Sequence, residues 1–94
     1  MATATVNGTV VAESDETIVV EGNHYFPPAS VQQDLFAETE HHTMCGWKGK
    51  ASYYDLTVDG ETLTNVAWFY PEPLDGASEI KDYVAFYPKV TVTD

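Results

Sequence analysis

Cys45 is the only thiol in the chain, with His42 three residues before it and Lys48 three after. A thiolate is a strong nucleophile when a neighbouring base or cation favours it. This spacing therefore makes Cys45 a candidate nucleophile or redox centre with His42 as its base. Two other readings of the thiol stand beside that one. It can line a ligand site, or it can be a small buried hydrophobe, as free cysteines commonly are. With no second cysteine to resolve a disulfide, a redox cycle would need a small external thiol.

Aromatic rings gather around the same stretch. Trp47, Tyr53, Tyr54, Trp68 and Tyr70 fall on two expected strands and the turn before the first. Aromatic faces with a few polar tips suit a small planar or cationic ligand. The plainer use of such rings is to fill a thin core, and at least two of the five are expected there. Lys48, between Trp47 and Gly49, can take a ligand carboxylate or pair with one of the many acids on the surface. Asn23 and Tyr25 stand before Pro27-Pro28 and are placed to offer polar groups at a pocket mouth, although Asn23 is also a turn former. The candidate ligand-binding set is thus Asn23, Tyr25, Cys45, Trp47, Lys48, Tyr54, Trp68 and Tyr70.

His24, His41, His42 and Cys45 are metal-ligand types, but no second ordered pair completes four ligands, so no metal and no cofactor are expected. Fifteen acids face four lysines, there is no arginine, and the net charge is −11. That balance disfavours nucleic acid and anionic membranes, which are bound by neutralising Lys and Arg. It fits an acidic, well-solvated surface. No apolar run approaches the ~18 residues that span a bilayer, and no signal-peptide pattern opens the chain. The expectation is a single cytoplasmic domain over residues 1–94, and the lone cysteine agrees with a reducing compartment.

The elements that must position these groups read as short strands between turns. Thr3–Val6 and Thr9–Ala12 flank Asn7-Gly8, and the strands Lys50–Val58 and Thr62–Tyr70 flank Asp59-Gly60. Both dipeptides tolerate the positive φ of a tight hairpin. Further strands are expected over Thr17–Glu21, His24–Phe26, Tyr83–Tyr87 and Val90–Thr93. Ser30–Phe36 reads as a short helix, with Ser30 and Gln33 as a capping box. Ala37–Met44 is polar and reads as a loop, and Ala77–Lys81 as one helical turn. The fold class is all-β with one or two short helices.

The order of unusual clusters resembles the domain-of-unknown-function family 427 (DUF427). The pieces are Val10-Val11-Ala12-Glu13-Ser14, Val20-Glu21-Gly22-Asn23-His24-Tyr25-Phe26-Pro27-Pro28, His42-Thr43-Met44-Cys45-Gly46-Trp47-Lys48-Gly49, Ala51-Ser52-Tyr53-Tyr54, Ala67-Trp68-Phe69-Tyr70-Pro71 and Val84-Ala85-Phe86-Tyr87. They cover nearly the whole chain. The family pattern usually has proline after the cysteine, where this chain has Gly46. The resemblance implies a small β-tent of two antiparallel sheets (an Mss4-like fold), similar to methionine sulfoxide reductase B and the thalidomide-binding domain of cereblon. Many β-tent relatives hold a structural zinc with two CxxC pairs, and one cysteine cannot do so. A nucleotidyltransferase label travels with the family. These residues offer it no glycine-rich phosphate loop, no arginine and no acid pair at a metal-binding spacing.

The resemblance implies no established activity, and three functions remain open. The first is a small-molecule-binding domain with an aromatic pocket around Cys45, Trp47, Lys48 and Trp68, its ligand unknown. The second is an enzyme using Cys45 with His42. The third is a protein-interaction module, whose partner the sequence does not name.

Overall fold

Nine strands run in the order β1 (Ala2–Val6), β2 (Thr9–Ser14), β3 (Ile18–Val20), β4 (Asn23–Tyr25), β5 (Phe36–Cys45), β6 (Gly49–Val58), β7 (Glu61–Phe69), β8 (Val84–Phe86) and β9 (Thr91–Thr93). This computed structural model describes every residue, Met1–Asp94. The strands form three antiparallel sheets, ordered β2-β1-β9, β3-β4 and β5-β6-β7-β8. The domain is all-β, as its β-branched runs and turn dipeptides imply. No helix is long and apolar enough to cross a membrane.

Three of the hairpins close on tight two-residue turns, whereas β5 and β6 are joined through three residues. Asn7-Gly8 and Asp59-Gly60 adopt positive φ at both residues, as expected (49° and 81°, 52° and 80°). This is the geometry whose twist matches that of the flanking strands. The third turn, Glu21-Gly22, is built the same way (54° and 81°) and joins β3 to β4.

Two expectations fail. Ser30–Phe36 is not a helix: single 3-10 turns occupy Pro28–Ser30 and Gln33–Leu35, and Val31 between them bridges Ala12. The Ser30 hydroxyl donates to the Pro27 carbonyl rather than capping a helix, and the Gln33 amide donates to the Pro28 carbonyl. Seven residues are too few to repay helix nucleation when tertiary contacts offer Val31 a place in the core. Ala37–Met44 is not a loop but most of β5, a ten-residue strand. It pairs only with β6, so its other edge is open and most of its side chains are exposed. The apolar alternation that marks a strand is therefore missing from its sequence.

The β5-β6-β7-β8 sheet is packed on both faces. On one, Leu56, Ala67, Phe69, Val84 and Phe86 meet Ala2, Ala4, Val6, Val11 and Ala12 of the β1-β2 hairpin in the main core. Val11 and Ala12 are buried in succession because the β1–β2 register shifts by one residue between Ala4 and Thr5, a bulge that turns an extra side chain inward. On the other face, Ala51, Tyr53 and Ala85 meet Tyr25, Ala77 and Ile80 in a smaller core. Ala77 and Ile80 come from the 3-10 segment Asp75–Ile80. Phe26 ties the β3-β4 ribbon to the sheet through two backbone hydrogen bonds with Val84, of 2.8 and 2.9 Å. A polar clip holds the irregular middle of the sheet: the Asn65 backbone N–H donates to the Asp55 carboxylate (2.8 Å), and the Thr39 hydroxyl to the Asn65 side-chain oxygen (2.7 Å).

Candidate functional site

The register of β6, β7 and β8 sets Tyr53, Trp68 and Ala85 side by side across the sheet. The pleat turns this row toward the smaller core. The Trp68 indole N–H donates to the hydroxyl of the fully buried Tyr25 (3.1 Å), and the two rings meet edge to face. The other side of Trp68 meets Tyr87, with ring centroids 4.7 Å apart. Tyr87 lies parallel to Tyr53, their hydroxyls 3.4 Å apart, and the Tyr53 hydroxyl is 2.8 Å from that of Thr43. Hydrogen bonding with Tyr53, then burial, hold the Tyr87 phenol up at about 12. The indole is thus clamped through its one polar atom. Tyr25→Phe removes the acceptor while keeping the ring. Its expected cost is about 0.5–1.5 kcal/mol, the usual net worth of a hydrogen bond, here a part-buried one, read as a lower urea midpoint at unchanged m-value.

Trp68 and Tyr87 also line a cleft of about 540 Å³ between the β3-β4 turn and the segment that enters β9. Gly22, Asn23 and His24 border one side, and Pro88, Val90 and Thr91 another. The His24 ring is held by the Thr17 hydroxyl at Nδ1 (2.9 Å), with Asp94 3.8 Å from Nε2. Of the ligand-binding candidates named from sequence, Asn23 and Trp68 border this cleft. The others go elsewhere. Tyr25 lies behind Trp68. Tyr70 is buried in the smaller core. Tyr54 turns to the main core, stacked on Phe69 at 4.5 Å and edge-on to Phe36. Trp47 sits half-exposed on the β5–β6 turn. Tyr87 carries no role in the sequence reading, and His24 figures there only as a metal-ligand type. Only the pairing of strands brings them to Trp68.

Lys48 is 7% exposed. Its ammonium is ion-paired with Glu21 and lies 5.4 Å from the Trp47 ring centroid and 5.5 Å from that of Tyr70. Burial pulls the lysine pKa down, but the Glu21 hydrogen bond and the nearby Tyr25 and Tyr70 phenols outweigh it, and the net shift is upward. Glu21 moves the other way: the hydrogen bond from Lys48 lowers its pKa against a smaller opposing effect of burial. Burial likewise raises the Tyr70 phenol, which Lys48 partly offsets. Lys48 is therefore a charged, engaged group rather than a free anchor for a ligand carboxylate. No sequence signal marks Glu21, which reaches across 27 positions from a hairpin tip.

Cys45 and His42 are not brought together. They lie three residues apart in a regular stretch of β5, where Cys45 pairs with Gly49 and His42 with Ser52. An odd spacing in a strand sends two side chains to opposite faces. Cys45 is half-buried against the smaller core. His42 Nδ1 lies 3.3 Å from both the Ala51 carbonyl and the Ser52 hydroxyl. The expected result is that His42→Ala leaves the pH profile of Cys45 alkylation by iodoacetamide unchanged. A profile displaced in that variant would show that the imidazole reaches the sulfur. No group of three or more His, Cys, Asp or Glu side chains is arranged to hold a metal.

The family model described as "Domain of unknown function (DUF427)" matches residues 1–94. The chain belongs to the DUF427 family. The match takes in both cores, the Trp68–Tyr87 cleft and the Lys48–Glu21 pair of this DUF427 domain, and its description assigns none of them a role. No curated protein matches the chain.

Proposed function

We propose that this DUF427 domain is a cytoplasmic small-molecule-binding protein whose ligand is planar, neutral or cationic, and stacks in the Trp68–Tyr87 cleft. The observation that carries the reading is the Trp68 ring, clamped at its N–H by Tyr25 and bordering a cleft of about 540 Å³. Such a volume is that of ordinary small-ligand sites, and a pre-positioned ring need not be ordered on binding. Asn23, His24 and Thr91 supply polar atoms at the rim. The net charge of −11 favours cations over anions in the approach to the site. The lone, half-buried thiol suits a reducing compartment. An enzyme built on Cys45 and His42 has less support, because the two side chains lie on opposite faces of β5.

The test uses a Trp47→Phe background, in which Trp68 is the sole indole. Planar heteroaromatic and quaternary-ammonium fragments are titrated against its fluorescence and its indole N–H resonance. Saturable perturbation is expected, and Tyr87→Ala should weaken it by about tenfold, the scale of one ring–ligand contact. A library that leaves the Trp68 signals unmoved, or hits indifferent to Tyr87→Ala, would sink the reading.

A further inference from the structure

A second cavity, of about 390 Å³, is lined by His42, Lys50, Ser52, Pro71 and Glu72 and has no hydrophobic side chain in its wall apart from the Pro71 ring. Its geometry follows from the sheet. His42 stands across from Ser52, and Lys50 lies two residues before Ser52 on β6, so all three project from one face. That face carries the main core farther along, but at this corner the side chains are polar. The chain turns past the corner after β7, and the Glu72 carbonyl comes so close to Gly49 that a Cβ there would lie 3.4 Å from it. Pro71-Glu72 is thereby fixed beside the start of β6.

Two charged side chains border this corner. Lys50 is one of four lysines against fifteen acids and, like Lys81 and Lys89 but unlike Lys48, forms no ion pair within 4 Å. Glu72 borders the same cavity and also forms none. Two opposite charges thus face one polar space without closing on each other. The Ser52 hydroxyl, on a residue only 4% exposed, and the His42 imidazole stand on the wall between them, 3.3 Å apart.

We infer that this corner is a binding site for a small zwitterion of the amino-acid type, its carboxylate toward Lys50, Ser52 and His42 and its ammonium toward Glu72. A ligand carrying both charges satisfies both walls at once. A simple anion would bring its charge up to Glu72, and a simple cation up to Lys50. The site is separate from the Trp68 cleft and shares no lining residue with it.

The test is a titration of the isotope-labelled protein, followed by amide resonances, with glycine, β-alanine and 4-aminobutyrate, a series of increasing charge separation. Acetate and methylammonium serve as half-ligands. At least one amino acid should shift the His42, Ser52 and Glu72 resonances saturably and leave the Trp68 indole untouched. Lys50→Ala and Glu72→Gln, both at exposed positions, should each weaken it by about tenfold, the loss of one charge-assisted contact. Unchanged amide dispersion in each variant confirms the fold. The inference is overturned if no compound shifts these resonances at roughly 100 mM, far above a useful affinity. It is equally overturned if acetate binds as well as the best amino acid and Glu72→Gln changes nothing, which would mark a plain anion site.

Discussion

Phe26→Ala should lower the stability of the domain by about 3–5 kcal/mol, the usual cost of emptying a buried phenylalanine site. Phe26 is fully buried, packs edge to face on Phe86 with centroids 5.6 Å apart, and exchanges two backbone hydrogen bonds with Val84. The main core cannot collapse easily around the loss, because sheets hold it on two sides. Total stabilities of small domains are about 5–15 kcal/mol, so the variant should stand near its unfolding threshold. Urea unfolding followed by circular dichroism checks this, with a reduced midpoint and an unchanged m-value expected. The functional consequence is specific. Phe26 is the anchor of the β3-β4 ribbon, and that ribbon carries Asn23 and His24 to the cleft. Ligand binding at Trp68 should therefore weaken in Phe26→Ala even at temperatures where the variant is fully folded. A loss of less than about 1 kcal/mol, typical of surface changes, would show that the ribbon does not depend on this anchor.

Glu21→Ala should be more damaging than Glu21→Ala combined with Lys48→Met. The single change leaves the Lys48 ammonium buried among Trp47 and Tyr70 without its carboxylate, and an uncompensated buried charge costs more than a lost pair gives. Methionine restores an apolar chain of similar length and should recover most of the urea midpoint. If the double variant is as unstable as the single one, the pair is not the source of the loss. The pH dependence has a definite sign. Glu21 is depressed below its ordinary 4.5, so its contribution is present above that value and disappears as pH falls through the folded value. Lys48 is raised above its ordinary 10.5, so its contribution is complete below that value and disappears as pH rises through the folded one. The contribution of the pair to the wild-type domain should therefore be constant from 4.5 to 10.5 and decline outside that window, whereas in Glu21→Ala the lysine without its carboxylate narrows the gap from a lower pH at the alkaline end. Tyr54 and Tyr70 are also raised above 10.0, chiefly by burial. Their effect has the sign of the lysine's, and the native domain should lose stability steeply in strong alkali.

Much of the local structure was legible in the residues. Asn7-Gly8 and Asp59-Gly60 announced their hairpins, and Pro71-Glu72-Pro73 the end of β7. β6 was legible because its residues alternate between two buried faces. β5 was not, because an edge strand with few buried side chains has the composition of a loop. The supposed helix over Ser30–Phe36 had a capping pattern and an apolar stripe, but Val31 found a better burial against Ala12 than a lone helical turn offers. The aromatic cluster was recognised as a group, yet its members divide among two cores, a turn and a cleft. Nothing along the chain distinguishes Tyr54, stacked on Phe69, from Tyr53, one position away and on the other face.

The sequence by itself determined the all-β class, the turns at Asn7-Gly8 and Asp59-Gly60, the net negative charge and the family. These rest on properties of single residues and adjacent pairs: permitted φ, branching at Cβ, charge, and the order of short motifs. Only the tertiary structure decided that Cys45 and His42 part company, that Lys48 belongs to Glu21, and that Trp68 meets Tyr87 at a cleft while Lys50 and Glu72 face a second cavity. The first of those outcomes depends on strand register, and the others on residues 19 to 27 positions apart meeting in space. A shift of one residue in pairing would exchange the two faces of the sheet and every side chain on them.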